Sequence, residues 1–222
     1  EALLRSPKMI RMEVARELTE VRQKYADPRR TVVIGGPMGD ILAGDFLGPS
    51  TDQWVTLTEG GLLSRTHEDA APRVTVEVKD PPLAMMASNS THTLYLFTAD
   101  GNGATIPVAV LQQSDDPEQG APYKTVSQLP ERAAITAAIS LPPDLDTGYL
   151  VMLTEQGEVK RLRLEDLPGL TSNVFKLMDV EKGDRLIWLD WVDDEGEVIL
   201  ATQAGMAIRF KVADVRPTGL GA

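Results

Sequence analysis

The chain has 222 residues, a formal net charge of −11 and an apolar fraction of 42%. It has no cysteine and two histidines, which excludes disulfides, cysteine-ligated zinc and thiol catalysis and leaves little scope for histidine-based chemistry. No apolar run approaches the roughly 18 to 20 residues of a membrane helix, and no basic and apolar leader is present, so we expect a cytoplasmic protein. The chain starts at Glu1 and has no obvious finish, and we expect it to be part of a longer protein.

The charge is distributed unevenly along the chain. Residues 1–30 hold eight of the 22 basic residues and five of the 33 acidic ones, which leaves 14 basic and 28 acidic residues in the rest. A body this acidic repels a polyanion overall, so any contact with nucleic acid requires a local basic patch.

The first predicted element is a helix within residues 1–30. Ser6-Pro7 is a typical start, because serine caps a helix and proline is tolerated at its first position. Apolar residues then recur every three or four positions, at Ile10, Val14, Leu18, Val21 and Tyr25. This narrow seam is typical of a coiled coil, and the alternative is a surface helix packed on its own domain. We expect Asp27-Pro28 to end the helix.

Residues 31–52 are rich in glycine and proline and contain short apolar stretches. We predict that they form a linker with an edge strand. The segment lacks the GxxxxGK[ST] pattern, so it is not predicted to bind the phosphates of a nucleotide.

A four-fold repeat organises the rest of the chain. Each copy is an apolar strand, the sequence Thr-x-x-Gly and a second strand, which predicts a hairpin whose glycine takes the positive φ of a tight turn. The turn glycines lie at spacings of 40, 56 and 48 residues and are Gly61, Gly101, Gly157 and Gly205. Recurrence at such spacings is typical of propellers and solenoids, whose units cannot bury their faces alone.

Further strands between the hairpins complete each unit. Apolar stretches such as Leu83–Ala87 and Ala133–Ile139 return after a crossover, which gives about four strands per unit, as in a propeller blade. We therefore predict a mainly all-β, propeller-like array of about four four-stranded blades over residues 53–222, preceded by one N-terminal helix. Its units are expected near residues 53–92, 93–146, 147–195 and 196–222, the last one incomplete.

Several stretches resemble a known family. Leu150–Arg161 and Ile199–Phe210 are similar to the repeats in the C-terminal domain of the bacterial DNA gyrase A protein and of its topoisomerase IV counterpart. Asp214–Gly219 is close to the family's strand-exit sequence, and residues 3–31 are similar to its returning coiled-coil helix. The resemblance is weak at residues 62–140.

The resemblance implies a fold, a function and partners. The fold is a β-pinwheel, a propeller-like disc whose blades exchange strands, and residues 1–30 are the end of the coiled-coil helix of the breakage–reunion region. The function is that of a non-catalytic domain that binds and bends DNA for ATP-dependent strand passage by a type IIA topoisomerase, either gyrase or topoisomerase IV. The implied partners are double-stranded DNA, held weakly or in a salt-sensitive way, the rest of the A subunit, and the ATPase B subunit, with the protein associated with the nucleoid.

The resemblance also implies a set of DNA-binding residues. The family bends DNA around a basic rim, because neutralised phosphates offset the cost of bending a stiff duplex. The position four residues after each turn glycine supplies such cations here, with Thr105 as the exception. With neighbouring cations, the predicted DNA-binding residues are Arg65, Lys160, Arg161, Arg163, Arg209, Lys211 and Arg216. The alternative is that these cations protect strand edges against aggregation.

The fragment itself is expected to be non-catalytic. The family's catalytic tyrosine lies upstream, none of the four tyrosines here matches its motif, and those on strands are expected to pack between blades. No cofactor is expected in this fragment, whereas the parent enzyme would need ATP and Mg²⁺ on other domains or subunits. Acidic pairs are expected to be solvated rather than to bind a metal, namely Asp115-Asp116, Glu165-Asp166 and Asp193-Asp194. Trp54, Trp188 and Trp191 are expected to fill the core rather than to stack on bases.

The chain departs from gyrase in two places. Gyrase carries a basic, glycine-rich box after its first repeat, whereas Thr66–Arg73 is acidic and lacks glycine, so the sequence does not distinguish gyrase from topoisomerase IV activity. The second repeat, Asn102–Pro107, offers no basic residue. An acidic, propeller-like module for protein interaction or regulation is therefore the main alternative, and a sugar- or nucleotide-processing propeller enzyme is a weaker one.

Overall fold

The computed structural model describes residues 6–25, 50–74, 77–193 and 195–222. The chain divides into two compact units, Glu1–Asp40 and Ile41–Ala222. Within the described ranges, no helix is long and apolar enough to cross a membrane.

The described part of the first unit is the predicted helix, α1 (Pro7–Tyr25). The Ile10 N–H donates to the Ser6 carbonyl over 3.1 Å and so closes the first helical turn. The predicted seam is exposed, from 38% at Ile10 to 63% at Leu18. The side chain of Tyr25, the helix end predicted at Asp27-Pro28 and residues 31–49 of the predicted linker lie outside the described residues.

The described part of the second unit is formed by strands in four antiparallel sheets, which confirms the mainly all-β prediction. The strands are β1 Asp52–Thr58, β2 Leu62–Arg65, β3 Pro82–Asn89, β4 Thr93–Thr98, β5 Asn102–Pro107, β6 Ala121–Pro122, β7 Ile135–Leu141, β8 Tyr149–Thr154, β9 Val159–Arg163, β10 Phe175–Lys176, β11 Leu186–Val192, β12 Glu197–Ala201 and β13 Ala207–Lys211. Sheet 1 has the order β3-β1-β2-β6, sheet 2 the order β10-β5-β4-β7, sheet 3 the order β11-β8-β9, and sheet 4 is the pair β12-β13.

Each sheet is built on one of the four predicted hairpins. The hairpins are β1–β2, β4–β5, β8–β9 and β12–β13, and a return strand pairs with the first strand of each of the first three. In sheet 1, for example, β3 runs antiparallel to β1 from the pair Asp52 and Asn89 to the pair Thr58 and Pro82. The return strand therefore completes the hairpin that precedes it in the chain.

Short strands cross from one repeat to the sheet of the preceding one. β6 follows β5 in the chain yet pairs with β2 of sheet 1, and β10 follows β9 yet pairs with β5 of sheet 2. At sheet 3, the Thr218 N–H donates to the Arg161 carbonyl over 2.8 Å. The blades thus exchange strands, as the β-pinwheel fold implies, and the sheets do not coincide with continuous sequence units.

The four Thr-x-x-Gly motifs form the same turn. Every turn glycine has a positive φ, between 77° at Gly101 and 92° at Gly157. In each turn the glycine N–H donates to the threonine carbonyl over 2.9–3.0 Å. The threonine hydroxyl accepts a further N–H from the residue after the glycine, over 2.9–3.2 Å. The predicted turns are confirmed, and the threonine recurs because its hydroxyl satisfies an N–H that the turn leaves unpaired.

Two of these turns are each stabilised by an aspartate that precedes the return strand. Asp80 accepts from the Thr58 hydroxyl at 2.6 Å and from the Gly60 N–H at 2.7 Å. Asp184 accepts from the Gln156 N–H at 3.0 Å in the corresponding turn of sheet 3. Desolvation would raise the pKa of Asp184, but hydrogen bonds from the Thr154 hydroxyl and from nearby backbone N–H groups outweigh it and lower that pKa.

Replacing Asp80 by alanine is expected to lower the free energy of unfolding by about 1–3 kcal/mol, because two hydrogen bonds to a carboxylate are lost. Urea unfolding monitored by circular dichroism measures the change. Asp69→Ala is the matched control, since Asp69 is exposed and lies outside the turns. Equal stability of the two variants would show that the Asp80 contacts contribute nothing to the fold.

Among the described residues, the core is divided into three apolar clusters, one between each pair of successive sheets. The first joins sheets 1 and 2 through residues such as Leu57 and Leu96, and the second joins sheets 2 and 3 around Phe97 and Met152. The third lies between sheets 3 and 4 and is smaller, with Val198 as one of its buried members. Each sheet is therefore stabilised mainly by its neighbours, as a repeat fold requires.

Candidate nucleic-acid interface

The position four residues after each turn glycine faces the same way in all four hairpins. In order along the chain, its occupants pair across the strands as Arg65 with Val55, Thr105 with Tyr95, Arg161 with Val151 and Arg209 with Ile199. Directly opposite residues of an antiparallel pair share one face of the sheet. In the first three sheets the partner is at most 6% exposed, so this face is covered there.

Arg65 and Thr105 hold crossover segments against their sheets. The Arg65 guanidinium donates through Nε to the Leu111 carbonyl at 3.0 Å and through Nη1 to Gln53 Oε1 at 2.9 Å. Burial lowers the pKa of Arg65. The Thr105 hydroxyl donates to the Thr171 carbonyl at 2.9 Å. Both side chains thus stabilise a junction between sheets.

Arg161 lies in the interior between sheets 3 and 4. It is 7% exposed, and its guanidinium carbon lies 4.2 Å from the centre of the Tyr149 ring. Its Nε is buried and has no hydrogen-bond partner among the described residues. The predicted cations therefore do not form one exposed row. In sheets 1 to 3, the position four residues after the turn glycine lies on a covered face of the sheet.

Lys160 binds the segment around Ala222 to sheet 3. Its side chain is 14% exposed, and Nζ donates to the Ala222 carbonyl at 2.5 Å and to the Asp179 carbonyl at 3.3 Å. Glu158 lies 3.5 Å from the same Nζ. This lysine is engaged in holding an exchanged segment.

Four of the predicted DNA-binding residues are exposed: Arg163, Arg209, Lys211 and Arg216. Arg163 and Lys211 each lie six residues after a turn glycine, at the ends of β9 and β13. Each is followed by a 3-10 turn whose first residue is buried, Leu164 in one sheet and Val212 in the other. The repeat therefore presents these two cations at equivalent places on successive sheets.

Several surface cations of the described chain have an acidic partner. Arg185 forms a two-pronged ion pair with Glu155 at 2.9 and 3.0 Å. Arg163 lies 3.4 Å from Glu165, and Arg209 is paired with Glu197. Exposed pairs of this kind contribute about 0–1 kcal/mol each, so a phosphate can displace the carboxylate at small cost. Lys211 and Arg216 make no ion pair within the described residues.

Sequence reasoning did not select several exposed cations. Examples in the second unit are Arg73, Lys79, Lys124, Arg132, Lys176, Lys182 and Arg185. Lys182 and Arg185 lie on either side of Asp184, just before the return strand β11. A search for basic residues next to this aspartate would have identified them from the sequence.

The segment in the place of the gyrase box forms an acidic surface. The Asp115 carboxylate accepts from the His67 N–H at 3.0 Å, which lowers the pKa of Asp115. Glu68, Asp116 and Arg73 line a cavity of about 500 Å³ beside it. Within the described chain, no group of three or more His, Asp and Glu is placed to hold a metal ion, and Asp194 lies outside it.

The aromatic side chains differ in burial. Tyr95, on β4, is 6% exposed, belongs to the second apolar cluster and donates to the Pro168 carbonyl, which confirms for this strand tyrosine the expected packing between blades. Tyr123 is 7% exposed, lies in a 3-10 turn and donates to the Pro130 carbonyl. Burial raises the pKa of Tyr95 to about 12.

Core filling was wrong for Trp188 and Trp191, which are each 37% exposed. They pair with Leu153 and Leu150 and so lie on opposite faces of β11, which is an edge strand of sheet 3.

A family model described as "DNA gyrase C-terminal domain, beta-propeller" matches residues 148–190 and 196–221. These ranges contain the hairpins of sheets 3 and 4, the exchanged strand β10 of sheet 2 and most of the return strand β11. The chain resembles the gyrase A C-terminal domain.

Curated gyrase A proteins align with almost the whole chain. The DNA gyrase A protein of Synechocystis sp. is 27% identical over 94% of the chain, and that of Dehalogenimonas lykanthroporepellens is 28% identical over 97%. The corresponding protein of Streptococcus pyogenes is 25% identical over 99%. The chain spans about a quarter of the length of these gyrase A relatives, 25–28%.

Solved C-terminal domains share the fold. The C-terminal domain of DNA topoisomerase IV aligns with a TM-score of 0.64 at 24% identity, over 79% of this chain and 56% of that one. The DNA gyrase A C-terminal domain aligns with a TM-score of 0.57 at 19% identity, over 77% of this chain and 58% of that one. The resemblance noted in the sequence is confirmed, and so is the pinwheel fold.

Proposed function

We propose that the chain is a non-catalytic DNA-guiding domain of the A subunit in a type IIA topoisomerase. It would hold a duplex segment for strand passage, while the reaction itself occurs on the rest of that protein. The ATPase B subunit, ATP and Mg²⁺ would act outside this chain, in the cytoplasm at the nucleoid.

The proposal is supported by one observation above all. Arg163 and Lys211 occupy equivalent, exposed positions on successive sheets, and both lie within the ranges that match the gyrase family model. Exposed cations repeated from sheet to sheet can contact successive phosphates without reading bases. Arg209 and Arg216 lie on the same hairpin and on the chain that follows it, and would extend the contact.

A second function is favoured by the charge of the domain. The chain outside residues 1–30 holds 28 acidic and 14 basic residues, and several exposed cations are already paired. Such a surface favours a basic protein partner over a polyanion. We therefore propose an acidic interaction or regulatory module as the alternative.

Titration of the 222-residue chain with duplexes of about 20 and 150 base pairs across a salt series tests the DNA role. We expect the affinity for DNA to fall as the salt concentration rises. We also expect the longer duplex to bind more tightly than its larger number of possible binding sites alone would explain. The double variant Arg163→Ala/Lys211→Ala should lower the slope of log affinity against log salt by about 2, since each lost phosphate contact removes about 0.9.

The matched control is Lys124→Ala/Arg132→Ala, which removes the same charge from exposed positions outside the family match. It should leave the slope close to that of the parent chain. If neither duplex binds at low salt, the DNA role is wrong for this chain and the acidic module is favoured. An equal loss in both double variants would show a general charge effect without a defined contact.

A further inference from the structure

A cleft of about 410 Å³ lies between sheets 2 and 3, and its lining includes Thr93, Leu141, Leu164 and Leu170. It is formed where β4 begins and where β7 and β9 end, which is the end of these strands remote from the Thr-x-x-Gly turns. Sheet 1 packs on sheet 2 and sheet 4 packs on sheet 3, so both walls of the cleft are internal to the array. Its volume falls within the range of about 300–1,000 Å³ that is usual for binding sites.

The inner surface of the cleft combines apolar side chains with an unpaired hydroxyl. Leu141 and Leu164 are 6% and 4% exposed, and Tyr95 donates its hydroxyl to the Pro168 carbonyl at 3.0 Å. Thr93 is 8% exposed and also lines the cleft, and its hydroxyl has no hydrogen-bond partner among the described residues. A buried hydroxyl without a partner is unfavourable, so the cleft offers a hydrogen-bonding group to a ligand.

The exposed part of the lining is acidic. Asp146 and Glu165 both line the cleft and are exposed, and the neighbouring Asp144 and Asp166 are exposed as well. Glu165 lies 3.4 Å from Arg163, whereas Asp146 forms no ion pair with any residue that the structure describes. This arrangement of charge favours a cation and opposes a phosphate.

Apolar surface continues from the cleft to the outside of the domain. Leu170 lines the cleft and is 42% exposed, and Pro143 on the opposite wall is also exposed. A small ligand inside the cleft would leave this surface uncovered. A polypeptide covers it, because one side chain can fill the cleft while its neighbours lie on the rim.

We propose that the cleft binds a segment of another polypeptide in which basic and apolar residues alternate. An apolar side chain of the segment enters the cleft, a backbone carbonyl accepts from the Thr93 hydroxyl, and a lysine or arginine pairs with Asp146 and Glu165. Exposed ion pairs are weak, so this cation displaces Arg163 from Glu165 at little cost. The inference names a partner for the acidic interaction module and rests on that second proposed function, not on DNA binding.

A labelled peptide of alternating lysine and leucine tests the proposal against the 222-residue chain. Fluorescence anisotropy should show saturable binding. Peptides with glutamate in place of lysine, or with serine in place of leucine, should each bind about tenfold more weakly or less, because they lose the charge complementarity or the buried apolar area. The measurement contains no DNA, so its outcome is independent of the DNA role.

Charge variants of the chain locate the contact. Asp146→Asn/Glu165→Gln should weaken peptide binding about tenfold, because both partners of the peptide's cation are lost. The matched control is Glu59→Gln/Asp69→Asn, which removes the same charge from exposed positions outside the cleft and should change the affinity less than about twofold. Thr93→Val keeps the shape of the side chain and should weaken binding about threefold through the lost hydrogen bond.

A variant that fills the cleft tests the apolar contact. Gly169 lines the cleft, and an added Cβ there meets nothing within 4 Å. Gly169→Leu should therefore occlude the cleft and abolish saturable binding. Gly219→Leu is the control, since Gly219 is equally open to an added Cβ and lies outside the cleft.

Several outcomes would overturn the proposal. No saturable binding, or binding that Gly169→Leu leaves unchanged, rejects the cleft as the site. An equal loss in the two charge variants also rejects the cleft but leaves a general attraction of the acidic surface for basic peptides, so the interaction module would stand. Equal affinity for leucine amide would make the occupant a small amine and not a polypeptide.

Discussion

Replacing Gly101 by alanine is expected to destabilise the domain by about 1–3 kcal/mol more than the same change at Gly157. Both glycines have a positive φ, 77° and 92°, so alanine has a similar conformational cost of about 1–2 kcal/mol at each. At Gly101 an added Cβ would lie 2.3 Å from the Met178 carbonyl oxygen, and at Gly157 it would meet nothing within 4 Å. The difference is therefore the cost of overpacking a backbone contact.

This contact fixes an exchanged segment. The Gly101 carbonyl accepts from the N–H groups of Leu177 and Met178 at 2.8 and 3.2 Å, next to β10. Urea unfolding of the two variants gives both free energies, and hydrogen exchange at Leu177 reports on the segment alone. Equal destabilisation of the two variants would mean that β10 shifts freely, and that strand exchange adds little to the stability of sheet 2.

The variant Phe97→Ala is expected to lower the free energy of unfolding by about 3–5 kcal/mol, as is usual for buried phenylalanines. Phe97 is fully buried in the second cluster, and its ring lies 6.3 Å from that of Phe175 in an edge-to-face arrangement. Phe175 belongs to β10, so the loss affects both the core and the exchanged strand.

Phe210→Ala is the control, since Phe210 is a partly buried residue of the smaller third cluster. We expect its cost to be about half or less, because less apolar area is removed from a looser site. Thermal and urea unfolding measure both variants. A larger cost for Phe210→Ala would show that sheet 4 is more tightly packed in solution than its exposed residues indicate.

The repeat was the most predictable feature of the fold. A Thr-x-x-Gly turn needs glycine for its positive φ and threonine for its hydroxyl, so local chemistry alone marked all four hairpins. The exchanged strands β6 and β10 were not predictable, because each is two residues long and carries no periodic pattern. Their pairing depends on the path by which the connecting segment reaches the preceding sheet, and no local sequence pattern indicates that path.

The candidate site was predicted only in part. Alternation along β9 places Arg161 and Arg163 on one face, yet the first is 7% exposed and the second is an exposed residue. The difference arises because Arg163 lies at the strand end, whereas Arg161 lies opposite Val151 under sheet 4. Spacing from the turn glycine therefore predicted where the cations lie in the hairpins, but it did not predict which of them are exposed to solvent.

By itself, the sequence determined the four hairpins, the all-β class and the resemblance to the gyrase A C-terminal domain, because these depend on local turn chemistry and strand periodicity. The tertiary structure alone decided which cations are exposed and which strands are exchanged. These features depend on contacts between residues distant in the chain, such as Arg65 with Leu111 and Lys160 with Ala222. Whether a side chain is buried depends on the sheet that packs against it, so the sequence of its own strand does not determine its burial.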